Sequence, residues 1–467
     1  MKKINEKCAV FGIFNAPNVA SRQAYFGLFA LQHRGQEQTG IVSTDGKNIF
    51  YHKSSGLVSQ VYTEKNIEKL SGFAAIGHNR YSTSRGTDSK HAQPIIFNHT
   101  VAFAHNGNLP STKALENFLK NNKISVKENS DSELMAKALG FYMKKGKSLS
   151  KAVEIAYPLF TGSFSCVALS PKEMVAFRDP RGIRPLVIGK KGDETIIASE
   201  TCALRTVGAN FLREVLPGEM VIISKDGIKS KILAKQDPKF DIFEFVYFSR
   251  HDSIILEKSV YQVRKNFGKI LFKEHKKIKL DIVVPVPETG IPAAIGYSQA
   301  SGVPFEMALN KNRYIHRTFI EPTQSSRDQK MKIKLSVLRS IIKGKRVGII
   351  DDSIVRGTTS KQIIKMLFDA GAKEVHFLVC SAPVKFPDFY GIDTPTQEHL
   401  ISSQKTIKET CEYLGATSLS FLSIDGMVKA TGLPKKIFCL SAFNGEYPLP
   451  IFEHEKEIKY NSLKFKD

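Results

Sequence analysis

Two adjacent carboxylates, Asp351 and Asp352, follow the short apolar run Val347-Gly348-Ile349-Ile350 and precede the small-residue turn Gly357-Thr358-Thr359-Ser360. Backbone N–H groups at a turn that opens a helix converge on one spot, where the helix dipole favours an anion such as a phosphate. A carboxylate pair beside that spot suits a ribose diol or a hydrated Mg²⁺, which takes few protein ligands and keeps substrate oxygens and waters. An ordinary strand-to-helix turn with solvated acids has the same spacing.

The elements that must hold this grouping are readable around it. Val347 to Ile350 is expected to be a buried strand, because β-branched residues suit a pleat covered on both faces. KQIIKMLFDAG is expected to be a helix with Ile364, Leu367 and Phe368 on one face, capped by Thr359 or Ser360 and ended by Gly371. From about residue 235 onward, strand and helix signals alternate: YQVRKNFGKILFKEH, DIVVPVP (281–287), IPAAIGYSQASG, RVGII and VHFLVC (375–380), with FEFVYFSRHDSII (243–255) as a bridge. Alternating βα units imply a parallel, doubly wound sheet with its ligand at the strands' carboxyl ends.

The earlier part of the chain reads differently. CAVFGIF from Cys8 is strand-like, and Ser21 is expected to cap a helix through SRQAYFGLFALQHRGQE, with Ala24, Leu28 and Leu31 on one face. HRGQEQTG turns into the strand IVSTDG, and IGHNRYST (76–83) starts as a strand and becomes polar. AFAHNGNL places Asn106-Gly107-Asn108 in a turn, and NSDSELMAKALGFY (129–142) opens a helix. Taken singly, Cys8 suits a small buried hydrophobe, Asn-Gly a hairpin turn and Asp131 a helix cap.

With 467 residues, 42% hydrophobic and 24% charged, the chain has room for two or three globular domains. It contains no apolar run of about 18 residues, so no membrane span is expected, and MKKINEK lacks the apolar core of a signal peptide. The six cysteines are scattered without a CxxC pair, which argues for reduced thiols in a cytoplasmic setting and against a zinc site. The net charge of +23 is spread along the chain without aromatic interleaving, so it reads as solvated lysine faces rather than a nucleic-acid surface.

The literal string DDSIVRGTTS resembles the 5-phosphoribosyl-1-pyrophosphate (PRPP) loop of type I phosphoribosyltransferases, and in this wording that of the amidophosphoribosyltransferases. CAVFGI, LQHRGQE, GHNRYST, AHNGNL and SDSE, in this order, resemble the N-terminal-nucleophile (Ntn) glutaminase domain of the same family, together with RDPRGIRPL (178–186), ASE (198–200) and PGEM (217–220). The resemblance implies an α+β Ntn-hydrolase glutaminase domain, an αββα sandwich, over residues 8–235. An α/β type I phosphoribosyltransferase domain would follow over 236–440, with 1–7 a propeptide and 441–467 a C-terminal tail.

It also implies roles. Cys8 would attack the side-chain amide of glutamine, with its own α-amine (pKa about 8) as general base. That amine is free only if cleavage after Lys7 removes MKKINEK. Asn106 and Gly107 would hold the oxyanion, Arg80 the substrate carboxylate and Asp131 its ammonium. Asp351 and Asp352 would engage the ribose or Mg²⁺, and Ser353, Ile354, Val355, Arg356, Gly357, Thr358 and Thr359 the 5-phosphate. Lys334 would reach pyrophosphate from a closing loop over 311–335. In PVPETGIPAA (285–294), Gly290 stands where relatives carry a metal-site serine, and it has no hydroxyl. Some relatives hold an iron–sulfur cluster on four cysteines; here the matching places are Asp241, Asp388, Cys439 and Ala442, so no cluster is expected. The resemblance further implies a homotetramer inhibited by purine nucleotides. Two alternatives remain open: a sugar-phosphate aminotransferase of the glucosamine-6-phosphate type, and a PRPP-binding, DNA-binding regulator.

Overall fold

The computed structural model describes residues 8–80, 92–127, 130–312, 335–392, 394 and 396–458. The expected propeptide, Lys334 and most of the expected closing loop lie outside the described residues.

The first half is two β-sheets face to face. The seven-stranded sheet runs in the order Asn210–Glu214, Val187–Lys191, Glu194–Ala198, Ala9–Phe14, Ala74–Arg80, Gln38–Thr44, Ile49–Ser55. The six-stranded sheet places Val101–Asn108 between Ile95–Phe97 and Ser163–Leu169. Alternation along each strand builds three layers of core. Val10 and Phe14 pack with Val42, Ile76, Ala104 and Val167 between the sheets. Phe11 and Ile13, on the other face, pack beneath Ala24, Leu28 and Ala203 of the helices Ala20–Ala30 and Thr201–Thr206. On the far side, Phe103 and Cys166 meet Met135, Leu139 and Val153 of Asp131–Lys144 and Leu149–Ala156. The layers are therefore helix, sheet, sheet, helix.

The second half is a parallel sheet ordered Ile282–Pro285, Arg346–Asp351, Glu374–Val379, Ser418–Phe421. Ile350 packs with Phe267 and Leu271 of Val260–Glu274 and Ala294 and Tyr297 of Ile291–Ser301. Val347 and Ile349, one residue out of phase, meet Ile363, Ile364 and Leu367 of Thr358–Asp369 on the opposite face. Both faces are covered, as a parallel sheet requires.

Several local expectations are corrected. Ser21 lies inside its helix, where Val19 is the N-cap; the Ser21 hydroxyl instead donates to the Leu70 carbonyl. The second-half helix starts at Thr358 with Gly357 as N-cap at φ +73°, so neither Thr359 nor Ser360 caps it. Phe368 is 38% exposed, and Ile363 takes the expected buried place beside Ile364 and Leu367. Asn106-Gly107-Asn108 is not a turn; it ends a strand, in register with Ser165, Phe164 and Ser163.

The halves meet along a polar and apolar seam. Arg34 is buried between Glu200 and Glu244 and also donates to Ser249 Oγ at 3.1 Å. Arg184 pairs with Asp241 and Glu244, both at 2.9 Å. Phe240–Asp241 pairs in parallel with Phe438–Cys439. Ile183 shares one cluster with Phe386, Phe389, Tyr390, Ile451 and Ile458, so residues of the expected tail pack into this seam.

Candidate functional site

The residues expected to cleave an amide sit at strand and helix ends that meet. Cys8, half-buried and at φ +51°, immediately precedes Ala9–Phe14. Ala9 is in register with Asn79, so Cys8 lies beside the end of Ala74–Arg80 and hence beside Arg80. The Arg80 Nη1 donates to Gln38 Oε1 at 3.2 Å, and the Arg80 carbonyl accepts the Glu37 N–H at 3.1 Å. His78, two residues earlier, crosses to the other sheet, its Nε2 lying 3.1 Å from the His105 carbonyl. Burial drives the His78 pKa down to about 3, so the imidazole is neutral and Nε2–H is the donor.

Asn106 follows His105. Its side chain is fully buried, and neither Nδ2 nor Oδ1 has a hydrogen-bond partner among the described residues. Buried amides are nearly always paired, so this pair of orphaned atoms implies a ligand-facing role. Gly107 has φ +151°, and a Cβ there would fall 2.0 Å from the Ser163 carbonyl oxygen. Only glycine fits that backbone.

Asp131 opens its helix but does not cap it. Ser130 is the N-cap and forms a capping box with Glu133. Asp131 Oδ2 instead accepts the Leu109 N–H at 3.2 Å and lies 3.7 Å from His105 Nδ1, which joins the helix start to the Asn106 strand. Gln93, missed in the sequence, completes this corner by accepting the His105 N–H at 2.8 Å and donating to Ser132 Oγ at 3.2 Å.

The phosphate-type site lies at the carboxyl edge of the parallel sheet. Asp351 ends its strand and Asp352 follows, both buried with 8% exposure. Asp351 Oδ1 accepts the Asp352 N–H at 2.9 Å, and Asp352 Oδ1 accepts the Ser353 hydroxyl at 2.6 Å. Thr289, also missed in the sequence, donates its hydroxyl to Asp352 Oδ2 and so pins the 285–290 loop to the carboxylate pair. No side chain caps the Thr358–Asp369 helix, and the buried Arg356 Nε has no hydrogen-bond partner among the described residues. Uncapped helix N–H groups and an unsatisfied guanidinium nitrogen together fit a bound anion.

Gly290 lies at the start of Ile291–Ser301, and a Cβ there would come within 2.5 Å of the Ile350 carbonyl oxygen. The position supplies no side-chain metal ligand. No group of three or more His, Cys, Asp or Glu residues suited to a metal ion occurs among the described residues. The carboxylate pair alone fits a Mg²⁺ completed by substrate and water oxygens.

The four places expected to match iron–sulfur ligands offer one thiol and hold engaged side chains. Asp241 is bonded to Arg184 and to the Phe243 N–H, Asp388 accepts the Tyr390 and Ile392 N–H groups at 2.8 Å, and Cys439 contacts Ser441 Oγ at 3.2 Å. Burial raises the Asp241 carboxyl, against the pull of Arg184. One thiol, two engaged carboxylates and Ala442 are a poor fit to a cluster.

The first of these sites, at Asn106, also touches the second half of the chain. Asn108 Nδ2 donates to the Phe389 carbonyl at 2.8 Å, and a Cβ on Gly391 would lie 3.2 Å from the Gly107 Cα.

Comparison with known proteins agrees with this two-part layout. The glutamine amidotransferase domain family matches residues 78–206, and the phosphoribosyl transferase domain family matches residues 253–384. An amidophosphoribosyltransferase of Synechocystis is 44% identical, covering 96% of this chain and 92% of its own length. That of Bacillus subtilis is 43% identical, covering 97% and 96%. The solved B. subtilis glutamine PRPP amidotransferase, complexed with ADP and GMP, superposes with a TM-score of 0.89 at 42% identity over 96% of this chain and 98% of that one. A structure described as the allosteric regulatory enzyme of purine biosynthesis gives 0.90 at 42% identity over 97% and 100%. With near-complete coverage at these identities, the chain belongs to the amidophosphoribosyltransferase family.

Proposed function

We propose that this chain converts glutamine, PRPP and water into 5-phospho-β-D-ribosylamine, glutamate and pyrophosphate, at the entry to purine synthesis. The supporting observation is that one chain holds both an orphaned, buried Asn106 amide and a carboxylate-plus-uncapped-helix phosphate site. Cys8 Sγ attacks the glutamine amide carbon, ammonia leaves as a thioester forms, and water then hydrolyses that thioester to glutamate and free Cys8. Asn106 Nδ2 and the Gly107 N–H hold the developing oxyanion, while Arg80 and Asp131 orient the substrate's carboxylate and ammonium. Cleavage after Lys7 supplies the free α-amine that acts as base.

Ammonia then crosses the seam to the second site, where it displaces pyrophosphate from C1 with inversion. Asp351 and Asp352 hold the ribose and Mg²⁺, and Ser353 to Thr359, with Arg356, hold the 5-phosphate. Lys334 reaches the pyrophosphate. Bound Mg²⁺ supplies charge neutralisation on the leaving pyrophosphate. The enzyme is cytoplasmic and homotetrameric, and purine nucleotides inhibit it.

Pyrophosphate release from PRPP and Mg²⁺, with glutamine or ammonium as nitrogen donor, tests the whole reading. Release with both donors is expected. Release with ammonium alone would locate the fault in the Cys8 half, and release with neither would overturn the reading.

A further inference from the structure

We propose that His251, in the segment joining the two halves, is a positioning residue for the 285–290 loop beside the Asp351–Asp352 carboxylate pair of the second site. This rests on the phosphoribosyl-transfer reading above. No motif singled out in the sequence includes this histidine in a chemical role, yet its ring bridges two groups behind that site.

On one side, Arg264 Nη1 donates to His251 Nδ1 at 2.9 Å. On the other, His251 Nε2 lies 3.1 Å from the Glu288 carbonyl oxygen. An arginine only donates, so Nδ1 must be the unprotonated nitrogen and Nε2–H the donor to Glu288. The two bonds therefore select one neutral tautomer. Burial and the Arg264 charge hold the histidine below its ordinary range, in keeping with that tautomer.

Arg264 is itself a rigid anchor. It is 2% exposed, and its remaining nitrogens donate to the Phe245 carbonyl at 2.7 Å and the Ser249 carbonyl at 2.8 Å. It has no carboxylate at ion-pair distance among the described residues. Burial lowers the Arg264 pKa to about 10, and the Asp352 carboxylate is the largest influence opposing that shift.

The loop that His251 reaches is thus clipped at neighbouring residues: Glu288 to His251, and Thr289 to Asp352. Removing the imidazole leaves the Thr289 clip and the Ile291 N–H bond to Glu288, so the loop stays folded but loses its rear support. The consequence falls on PRPP capture more than on the chemical step. The same turn binds the other half, because Ser253 Oγ and the Arg250 N–H donate to Glu200 at 2.6 and 2.9 Å.

The test is ammonium-dependent pyrophosphate release by His251→Ala, His251→Gln and wild type, each checked for an unchanged thermal midpoint. Loss of one charge-assisted hydrogen bond and one neutral one predicts roughly a tenfold or greater rise in the KM for PRPP on His251→Ala, with kcat within about twofold. Glutamine at this position can place an amide N–H near Glu288 and is expected to recover most of the loss. An unchanged KM in a folded His251→Ala variant overturns the proposal. So does an equal defect in both variants, which would mark a purely structural role. Inactive wild type with ammonium would instead overturn the phosphoribosyl-transfer reading on which the proposal rests.

Discussion

Truncating Asn106 to alanine separates a group kept for chemistry from one kept for the fold. The side chain is fully buried, and both amide atoms lack partners among the described residues. Each buried, unsatisfied polar atom costs roughly 1–3 kcal/mol. Alanine removes two such atoms and leaves a small cavity, which costs on the order of 2 kcal/mol if the surroundings do not relax. These terms oppose each other and are similar in size, so the unfolding free energy is expected to stay within about 1–2 kcal/mol of wild type or to rise. The chemical loss is one-sided. Deleting one oxyanion donor removes about 3 kcal/mol of transition-state stabilisation, or roughly 10²–10³ in rate. The assay follows glutamine-dependent and ammonium-dependent pyrophosphate release on one preparation, beside urea unfolding. The glutamine-dependent rate should collapse while the ammonium-dependent rate and the urea midpoint hold. A clear loss of stability, or parallel loss of both activities, would show that Asn106 is structural and refute the reasoning.

His78→Gln tests the neutral imidazole between the sheets. The folded state holds the His78 pKa at about 3. The unfolded chain binds a proton near pH 6.5, so wild type loses stability as pH falls from about 6.5 to 3, by an order of 4–5 kcal/mol in total. Glutamine can keep the donor to the His105 carbonyl, and urea midpoints should show a shallower acid loss over that window; equal slopes would contradict the assignment. Arg34→Leu leaves Glu200 and Glu244 buried without their shared cation and should cost about 3–5 kcal/mol in urea unfolding. A loss below ~1 kcal/mol would mean that water or neighbouring groups replace the guanidinium. Gly290→Ser drives a Cβ to 2.5 Å from the Ile350 carbonyl oxygen and 2.8 Å from the Val286 carbonyl oxygen. Because both contacts are backbone, a lower thermal midpoint and a raised KM for PRPP are expected; a neutral serine variant would show that the 286–290 turn yields.

What could be read from sequence depended on how local the determinant is. Asp351-Asp352 and the Gly357 turn lie within one strand–loop–helix, so a single stretch displays both the carboxylates and the helix start. Asn106-Gly107 misled because its local signal is a turn, whereas pairing with Ser165 and Phe164 imposes a strand. Asp131 looked like a cap, but Ser130 does that job and leaves the carboxylate for Leu109. Thr289, Gln93, Arg264 and His251 matter through partners 12 to 63 positions away, which no pattern along the chain reports. Charge was readable as a total but not as placement: Arg34 and Arg184 look like surface residues in sequence and are 1% exposed in the seam.

The seam also dictates an order of assembly. The first-half sandwich closes with Gly227–Ile232, so all its strands have left the ribosome long before Phe438–Cys439 arrives to pair with Phe240–Asp241. Domains fold as units, N-terminal first. During synthesis, then, Asn108 lacks its Phe389 contact, and Ile183 waits uncovered for Ile451 and Ile458. The nascent glutamine half is a folded but unfinished object, whose Gly107–Asn108 strand end acquires its outer neighbours only when the transferase half has been made. A chain stalled midway would carry Cys8 and Asn106 without the contact that Asn108 makes to the second half.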